Sequence, residues 1–347
     1  MPRIAFLFYY GEKFGGMERR YARLVKHLIS EGLDVVVYAT RETFDGLKSS
    51  DIEIPHQRII DIEGKFFISR LPRKIKRILG LIHFIFLVRW NKIDRIHVAS
   101  NPGLITGILA KADSFLPPIS ASMVDSFLTA TELDIRRLSN WHSIECLSPR
   151  ISEYVCQHLK NIDSKVDVST APCSFIDYSK VIEEGHRHID VLMIARFTPG
   201  KGYELLEKAA SKIKEYNMHL CGFGKHIPNV RAAKIYECKD PFAICGQAKI
   251  FLSLQEKNNY PSQALMEAMA SGCAIIATDV GETRLLLDES CAIIIPPKPC
   301  ALANAITLLM SDDSRRVRLG QAAKNRVEKS HNIQRYSEYF VQNILKV

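Results

Sequence analysis

The chain has 347 residues, 47% of them hydrophobic, which is long enough for two α/β domains with separate cores. Its net charge of +9 invites an anionic partner, yet no zinc finger, recognition-helix pattern or aromatic-basic RNA signature accompanies it, so nucleic acid is not expected. Nine cysteines are scattered without a C-x-x-C pair, even Cys238 and Cys245 fit no zinc frame, and they read as reduced, mostly core residues.

In chain order, Met1-Pro2-Arg3 leads at once into a short apolar strand that Gly11 ends, which is not a signal pattern, and a cytoplasmic location is expected. Strand-like periods predict strands at 4–9, 34–39, 58–62, 95–99, 119–123, 143–147 and 166–170, with helical stretches between them. One helix spans about 18–31, where Tyr21, Leu24, Val25, Leu28 and Ile29 form a stripe. Residues 41–57 read as a loop. Between Lys65 and Arg95 the chain is strongly basic, with Asp94 as its only acid, and encloses the apolar run Ile78 to Val88. That run is too short to span a bilayer. Two readings stay open: a basic amphipathic segment lying on an anionic membrane surface, or a core helix whose cationic face is merely solvated.

A polar stretch from Asp177 to His188 marks the expected linker, and strands follow near 190–195, 218–221, 249–254, 274–278 and 292–295. Alternation of strands and helices throughout predicts parallel, doubly wound sheets. No short repeat or low-complexity tract interrupts it. A helix is expected from near Asp312, and 332–345 is again amphipathic, with Tyr336, Tyr339, Phe340, Ile344 and Leu345 as candidate buried positions.

Two segments carry most of the chemistry. Val191-Leu192-Met193-Ile194-Ala195-Arg196-Phe197-Thr198-Pro199-Gly200-Lys201-Gly202 is a buried-type strand running into a Pro/Gly turn flanked by two cations, which suit a diphosphate. Asn258-Asn259-Tyr260-Pro261-Ser262-Gln263-Ala264-Leu265-Met266-Glu267-Ala268-Met269-Ala270-Ser271-Gly272 is a loop feeding a helix, and the N–H groups of Ser262, Gln263 and Ala264 would face an anion. Ordinary capping and surface cations are the plain alternatives.

Together these segments resemble the donor domain of retaining GT-B glycosyltransferases of family 4 (glycosyl transferases group 1). Phe14-Gly15-Gly16-Met17-Glu18-Arg19 resembles that family's Gly-Gly loop, Ala171-Pro172-Cys173-Ser174-Phe175-Ile176-Asp177 its segment before the linker, and Cys221-Gly222-Phe223-Gly224 its G-x-G turn. The resemblance implies two Rossmann-like domains facing a central cleft. Residues 1–180 would be the acceptor side, joined by a crossing helix at 332–347, and 181–331 would bind the sugar nucleotide.

It also implies roles. Arg196 and Lys201 would stabilise the leaving diphosphate; Gly15, Gly16, Asn258, Asn259, Tyr260, Ser262, Gln263, Ala264 and Glu267 would line the donor site, with Glu267 on the ribose hydroxyls. Two departures from the family pattern stand out. Asn258 or Asn259 occupies the position of the first carboxylate of its E-x7-E pattern, and Val124 occupies that of a histidine, leaving Asp125 to contact donor sugar or acceptor, or simply to cap a turn. No D-x-D occurs, so no metal is expected, and no cofactor beyond a nucleoside diphosphate sugar. The implied reaction is retaining hexosyl transfer to a glycan or lipid-linked acceptor in cell-surface polysaccharide or lipopolysaccharide synthesis. A non-catalytic sugar-nucleotide-binding relative and a nucleotide-sugar epimerase are the alternatives; a nicotinamide dehydrogenase is disfavoured because no intact G-x-G-x-x-G follows a strand.

Overall fold

The structure, a computed structural model, describes residues 1–9, 16–50, 52–64, 71–99, 103–124, 128–176, 178, 181, 187–213, 216–231, 233–237, 241–258, 260 and 262–347. Contacts divide it into a first unit of Met1–Ser174 with Ile333–Val347 and a second of Phe175–Asn332. Most of the expected linker lies outside the described residues.

The first unit is built on seven strands: β1 (Arg3–Phe8), β2 (Asp34–Ala39), β3 (Ile59–Asp61), β4 (Arg95–Val98), β5 (Ile119–Met123), β6 (Ser143–Cys146) and β7 (Asp167–Thr170). They pair in parallel in the order β3-β2-β1-β4-β5-β6-β7. A parallel sheet covered on both faces needs apolar residues at every position, which is why Ile4-Ala5-Phe6-Leu7-Phe8 is wholly buried rather than alternating. Residues expected as a loop at 41–57 begin with a helix, Arg41–Ser49, which buries Thr43, Phe44 and Leu47. Only three inward positions over nine residues left too little periodicity to announce it.

At the centre of this unit lies a buried polar network. Glu145 on β6 accepts from Tyr21 at 2.8 Å, from Ser122 at 2.5 Å and from the Tyr336 hydroxyl. His97 on β4 stands 2.9 Å from Ser120 Oγ and 2.9 Å from Ser122 Oγ. Burial pushes its imidazole down to about 3, so it is neutral. Both serines direct their hydroxyl protons elsewhere, Ser120 to Ile96 O at 3.1 Å and Ser122 to Glu145, so the neutral ring can donate to one of them only. Arg20, also buried, stacks over the Tyr336 ring at 4.7 Å and donates to Ser174 Oγ.

Tyr336 belongs to the terminal segment, helix Ile333–Tyr339 continued by a π-helical stretch Phe340–Leu345. This segment crosses back to the first unit. Tyr336, Phe340, Ile344 and Leu345 are fully buried, as the amphipathic pattern predicted, while Tyr339 is only half-buried and reaches Ser169 Oγ at 3.0 Å. Ser143 Oγ donates to Ile344 O at 2.6 Å and Arg95 Nε to Leu345 O at 3.2 Å, so carbonyls at the helix end are satisfied by the sheet.

The helix Arg73–Trp90 carries apolar residues on more than one face. Leu81, Phe84 and Val88 are buried, and Phe84 meets Tyr38 edge-on at 5.1 Å. Ile75, Ile78, Ile82, Phe86 and Trp90 recur at three- and four-residue steps on another face and stay exposed, from 39% at Ile78 to 74% at Trp90. The helix is therefore neither purely a core element nor unattached to the domain.

The second unit has six parallel strands: β8 (Ile189–Ile194), β9 (Met218–Cys221), β10 (Ala233–Tyr236), β11 (Ala248–Ser253), β12 (Ala274–Thr278) and β13 (Ala292–Ile295), ordered β10-β9-β8-β11-β12-β13. β10 was not expected from sequence. It is an edge strand of four residues whose side chains are all at least partly exposed, so it lacks the apolar run that marks its neighbours. The helix Asp313–Ser330 starts where expected, with Asp312 accepting from the Arg315 N–H at 2.8 Å. Gly320 lets that helix pack tightly, since a Cβ there would fall 2.3 Å from Gly272 O.

Candidate functional site

Strand order in the second unit reverses between β8 and β11, and in open parallel sheets a ligand crevice forms outside the carboxyl ends of the strands at that point. The chain leaves β8 through Ala195, whose N–H donates to Cys221 O at 3.0 Å, and Phe197, whose N–H donates to Phe223 O at 2.7 Å. Phe197 is buried and anchors the turn against Tyr203, with ring centroids 5.7 Å apart. Arg196, between them, is exposed, and its guanidinium lies over the Phe223 ring at 5.8 Å.

Glycines let the loops approach closely. Gly202 has φ +84°, and a Cβ there would stand 1.9 Å from Leu254 O, so the turn after β8 presses directly on the end of β11. At Gly222 a Cβ would stand 1.9 Å from Ala195 O, which explains the first glycine of the G-x-G turn.

Lys201 Nζ donates to Gln255 Oε1 at 3.0 Å, a hydrogen bond that bridges the switch point from the β8 turn to the β11 loop. Burial, then the nearby Arg196 charge, holds its ammonium below its ordinary value. The two cations predicted to flank one loop therefore do share a neighbourhood. Thr278 Oγ1 donates to Gln255 O at 2.5 Å and stitches the end of β12 to the same loop.

That loop feeds the helix Gln263–Ala270. Ser262 caps it, accepting from the Leu265 N–H at 3.4 Å, and Gln263 Nε2 donates to Phe175 O at 3.3 Å. Ala264 and Tyr260 pack against the second unit's core. Glu267 lies one turn further in and is 5% exposed, so it is a buried carboxylate, not a solvated helix residue. Asn258 is 4% exposed and is held by Glu282, to whose carboxylate its Nδ2 donates at 2.8 Å. Neither Glu282 nor Gln255 was singled out from sequence. Both are ordinary polar residues in their local context, and only strand order brings them to the loop.

Of the remaining expected site residues, Gly16 opens the helix Gly16–Ser30, and among the described residues an added Cβ there would meet no atom within 4 Å. Gly15, Asp125 and Asn259 lie outside the described residues. A pocket of ≈ 180 Å³ opens beside the β8 turn, lined by Thr198, Pro199, Tyr203, Glu204, Glu207 and His226 among others. It is smaller than the roughly 300–1,000 Å³ of typical ligand sites, and its two acids oppose a diphosphate. The cationic switch point is the better candidate.

Residues 201–342 match a family described as glycosyl transferase-like. Among solved structures, the chain is similar to a sucrose-phosphate synthase from Thermosynechococcus elongatus, at 17% identity and a TM-score of 0.74, covering 99% of this chain and 98% of that one. It is similar to Anabaena HepE in complex with UDP-glucose at 13% identity and a TM-score of 0.78, covering 99% and 100%. A glycosyltransferase from Rickettsia africae matches at 16% identity and 0.71, covering 97% and 96%. No match is found among curated proteins. At such identities the likeness establishes architecture, which is that of the GT-B glycosyltransferases.

Proposed function

We propose that this chain is a retaining glycosyltransferase of family 4 that moves a hexosyl group from a nucleoside diphosphate sugar to a glycan or lipid-linked acceptor, without a metal, in cell-surface polysaccharide or lipopolysaccharide synthesis. The observation that carries the reading is the cation pair Arg196 and Lys201 at the β8/β11 switch point, where Lys201 contacts the loop that leads to a capped helix holding a buried Glu267. The match at 201–342 and the HepE complexes with UDP and UDP-glucose support a nucleotide-sugar donor.

In this mechanism the bond from the anomeric carbon to the diphosphate oxygen breaks with its electron pair going to that oxygen. Arg196, Lys201 and the N–H groups of Gln263 and Ala264 stabilise the charge that grows there. The acceptor hydroxyl oxygen bonds the same face of the anomeric carbon and passes its proton to the departing phosphate. Glu267 accepts from the ribose hydroxyls. Tyr260 and Asn259 complete the proposed donor site on the second unit.

A thermal-shift screen of nucleoside diphosphates and their sugars tests the donor class: the matching ligand raises the melting temperature because it binds only the native state. Release of nucleoside diphosphate that depends on added acceptor separates a transferase from a silent binder or an epimerase. No shift with any diphosphate would remove the reading.

The acceptor end draws on the helix Arg73–Trp90. Among the described residues no helix is long and apolar enough to cross a membrane. The exposed row Ile75, Ile78, Ile82, Phe86 and Trp90, with exposed Lys74, Arg89 and Lys92 beside it, instead suits the interface of an anionic bilayer. Each cation near such a surface contributes about 1 kcal/mol, and the apolar row adds burial among the acyl chains. The protein is expected to float with phosphatidylglycerol vesicles at low salt, and replacing Phe86 and Trp90 with serine should abolish flotation. Absence of binding by the unaltered chain at low salt would leave the membrane reading without support.

A further inference from the structure

Glu282 lies in the turn after β12, at the sheet edge where β8 and β11 also end. Its contact with Asn258 is reciprocal. Asn258 Nδ2 donates to Glu282 Oε2 at 2.8 Å, and the Glu282 N–H donates to Asn258 Oδ1 at 2.8 Å. Gly281, at φ +53°, lets the turn close on this amide, since a Cβ there would stand 2.5 Å from Asn258 Cβ and 2.5 Å from Asn258 Oδ1. A ring of two hydrogen bonds around a buried amide therefore sets where the carboxylate sits and which way it points.

Other carboxylates at this edge are differently disposed. Asp279 is neutralised by Arg284, whose Nη2 approaches at 2.9 Å. Glu256 is exposed, and its N–H donates to Gly200 O at 3.1 Å. Glu267 is buried one turn inside the helix. Glu282 is half-exposed yet held in place, which is what a group needs if it is to meet a ligand without losing its orientation. The stitches from Thr278 to Gln255 and from Gln255 to Lys201 put Glu282 and the cation pair on the strand ends that border one loop, 255–258.

We infer that Glu282 supplies the negative charge at the sugar end of the donor site, accepting from hexose hydroxyls and offsetting the positive charge that develops on the sugar as its bond to the diphosphate breaks. Asn258 is the positioning residue for that carboxylate. Its amide is engaged with Glu282 through both Nδ2 and Oδ1, so it acts through its neighbour. The absence of a carboxylate at the Asn258–Asn259 position is then a relocation of charge from one loop to the next, not a loss. This inference rests on the nucleotide-sugar transferase reading.

Glu282→Gln tests it, because the new side chain keeps an oxygen for the Asn258 N–H and removes only the charge. Turnover of the donor that the unaltered protein uses should fall about ten- to hundredfold in kcat, the scale of a charged hydrogen bond. Affinity for the matching nucleoside diphosphate, which lacks the sugar, and the melting temperature should stay within twofold and about 2 °C. Unchanged turnover would overturn the proposal. Should Glu282→Gln lower the melting temperature, Glu282→Ala with added formate decides: restored turnover supports a role for the charge, and no restoration overturns it. An unaltered chain that neither binds a nucleoside diphosphate nor uses its sugar would instead defeat the underlying reading, a result visible before any variant is made.

Discussion

Lys201→Ala is expected to weaken nucleoside diphosphate binding more than tenfold by isothermal titration calorimetry, and Glu267→Ala to do the same. Lys201 is half-buried beside Arg196, and its ammonium is held below its ordinary value of 10.5 by burial first and by that second cation next. A diphosphate relieves both effects. At the effective dielectric of a protein surface, a charge pair at about 4 Å is worth roughly 4 kcal/mol before desolvation and ordering are subtracted. Only about 1.4 kcal/mol need survive for a tenfold effect. On the proposed donor placement Glu267 reaches the same scale differently, as a buried carboxylate whose removal would leave ribose hydroxyls without an acceptor. Native-like affinity in both variants would refute this placement of the site.

The Lys201 shift fixes the sign of the pH dependence. Below its lowered pKa the ammonium is charged and diphosphate binds most tightly; affinity falls as pH rises through that value. Bound diphosphate pulls the pKa back up, so binding takes up protons in that window. For the unliganded protein the sign is opposite: the unfolded chain holds the proton more firmly, so this group's contribution to stability rises with pH between the lowered value and 10.5.

Ending the chain after Asn332 is expected to unfold the first unit. Tyr336, Phe340, Ile344 and Leu345 are fully buried, and at about 1.5–3 kcal/mol each their loss removes roughly 6–12 kcal/mol, comparable with the whole stability of a typical domain. The deletion also strips Tyr336 from Glu145 and leaves Phe6 and His97 without the Phe340 ring that packs on both, at 5.8 and 4.7 Å. Limited proteolysis should then degrade the first unit and spare the second. A truncated chain with an unchanged melting curve would show that the terminal segment is dispensable.

Glu145 and Glu282 hold different roles. Glu145 serves the fold, since its side chain accepts from hydroxyls that tie β5, β6, helix Gly16–Ser30 and the terminal helix together. Glu282 is half-exposed and is held by its reciprocal hydrogen bonds with Asn258.

Of the thirteen strands among the described residues all but β10 were expected, most of them because a buried parallel strand is a local signal: an uninterrupted apolar run such as Val191-Leu192-Met193 needs no knowledge of its partners. The amphipathic terminal segment and the helix start near Asp312 were legible because helical periodicity is also a local signal. β10 and the helix Arg41–Ser49 were not, since one is a short edge strand and the other buries too few side chains to show a period.

Arg196, Lys201, Ser262 and Glu267 could be picked out because each sits in a local frame of strand end, turn or helix start. By itself, then, the order of residues determined the two doubly wound sheets and the cationic turn, through periodicity and turn chemistry that act over a few residues. Only the tertiary structure decided what the turn faces. Lys201 meets Gln255 across 54 positions and Asn258 meets Glu282 across 24, and those pairings follow from strand order. Hydrogen bonds between loops depend on where whole strands lie, and no local pattern encodes that.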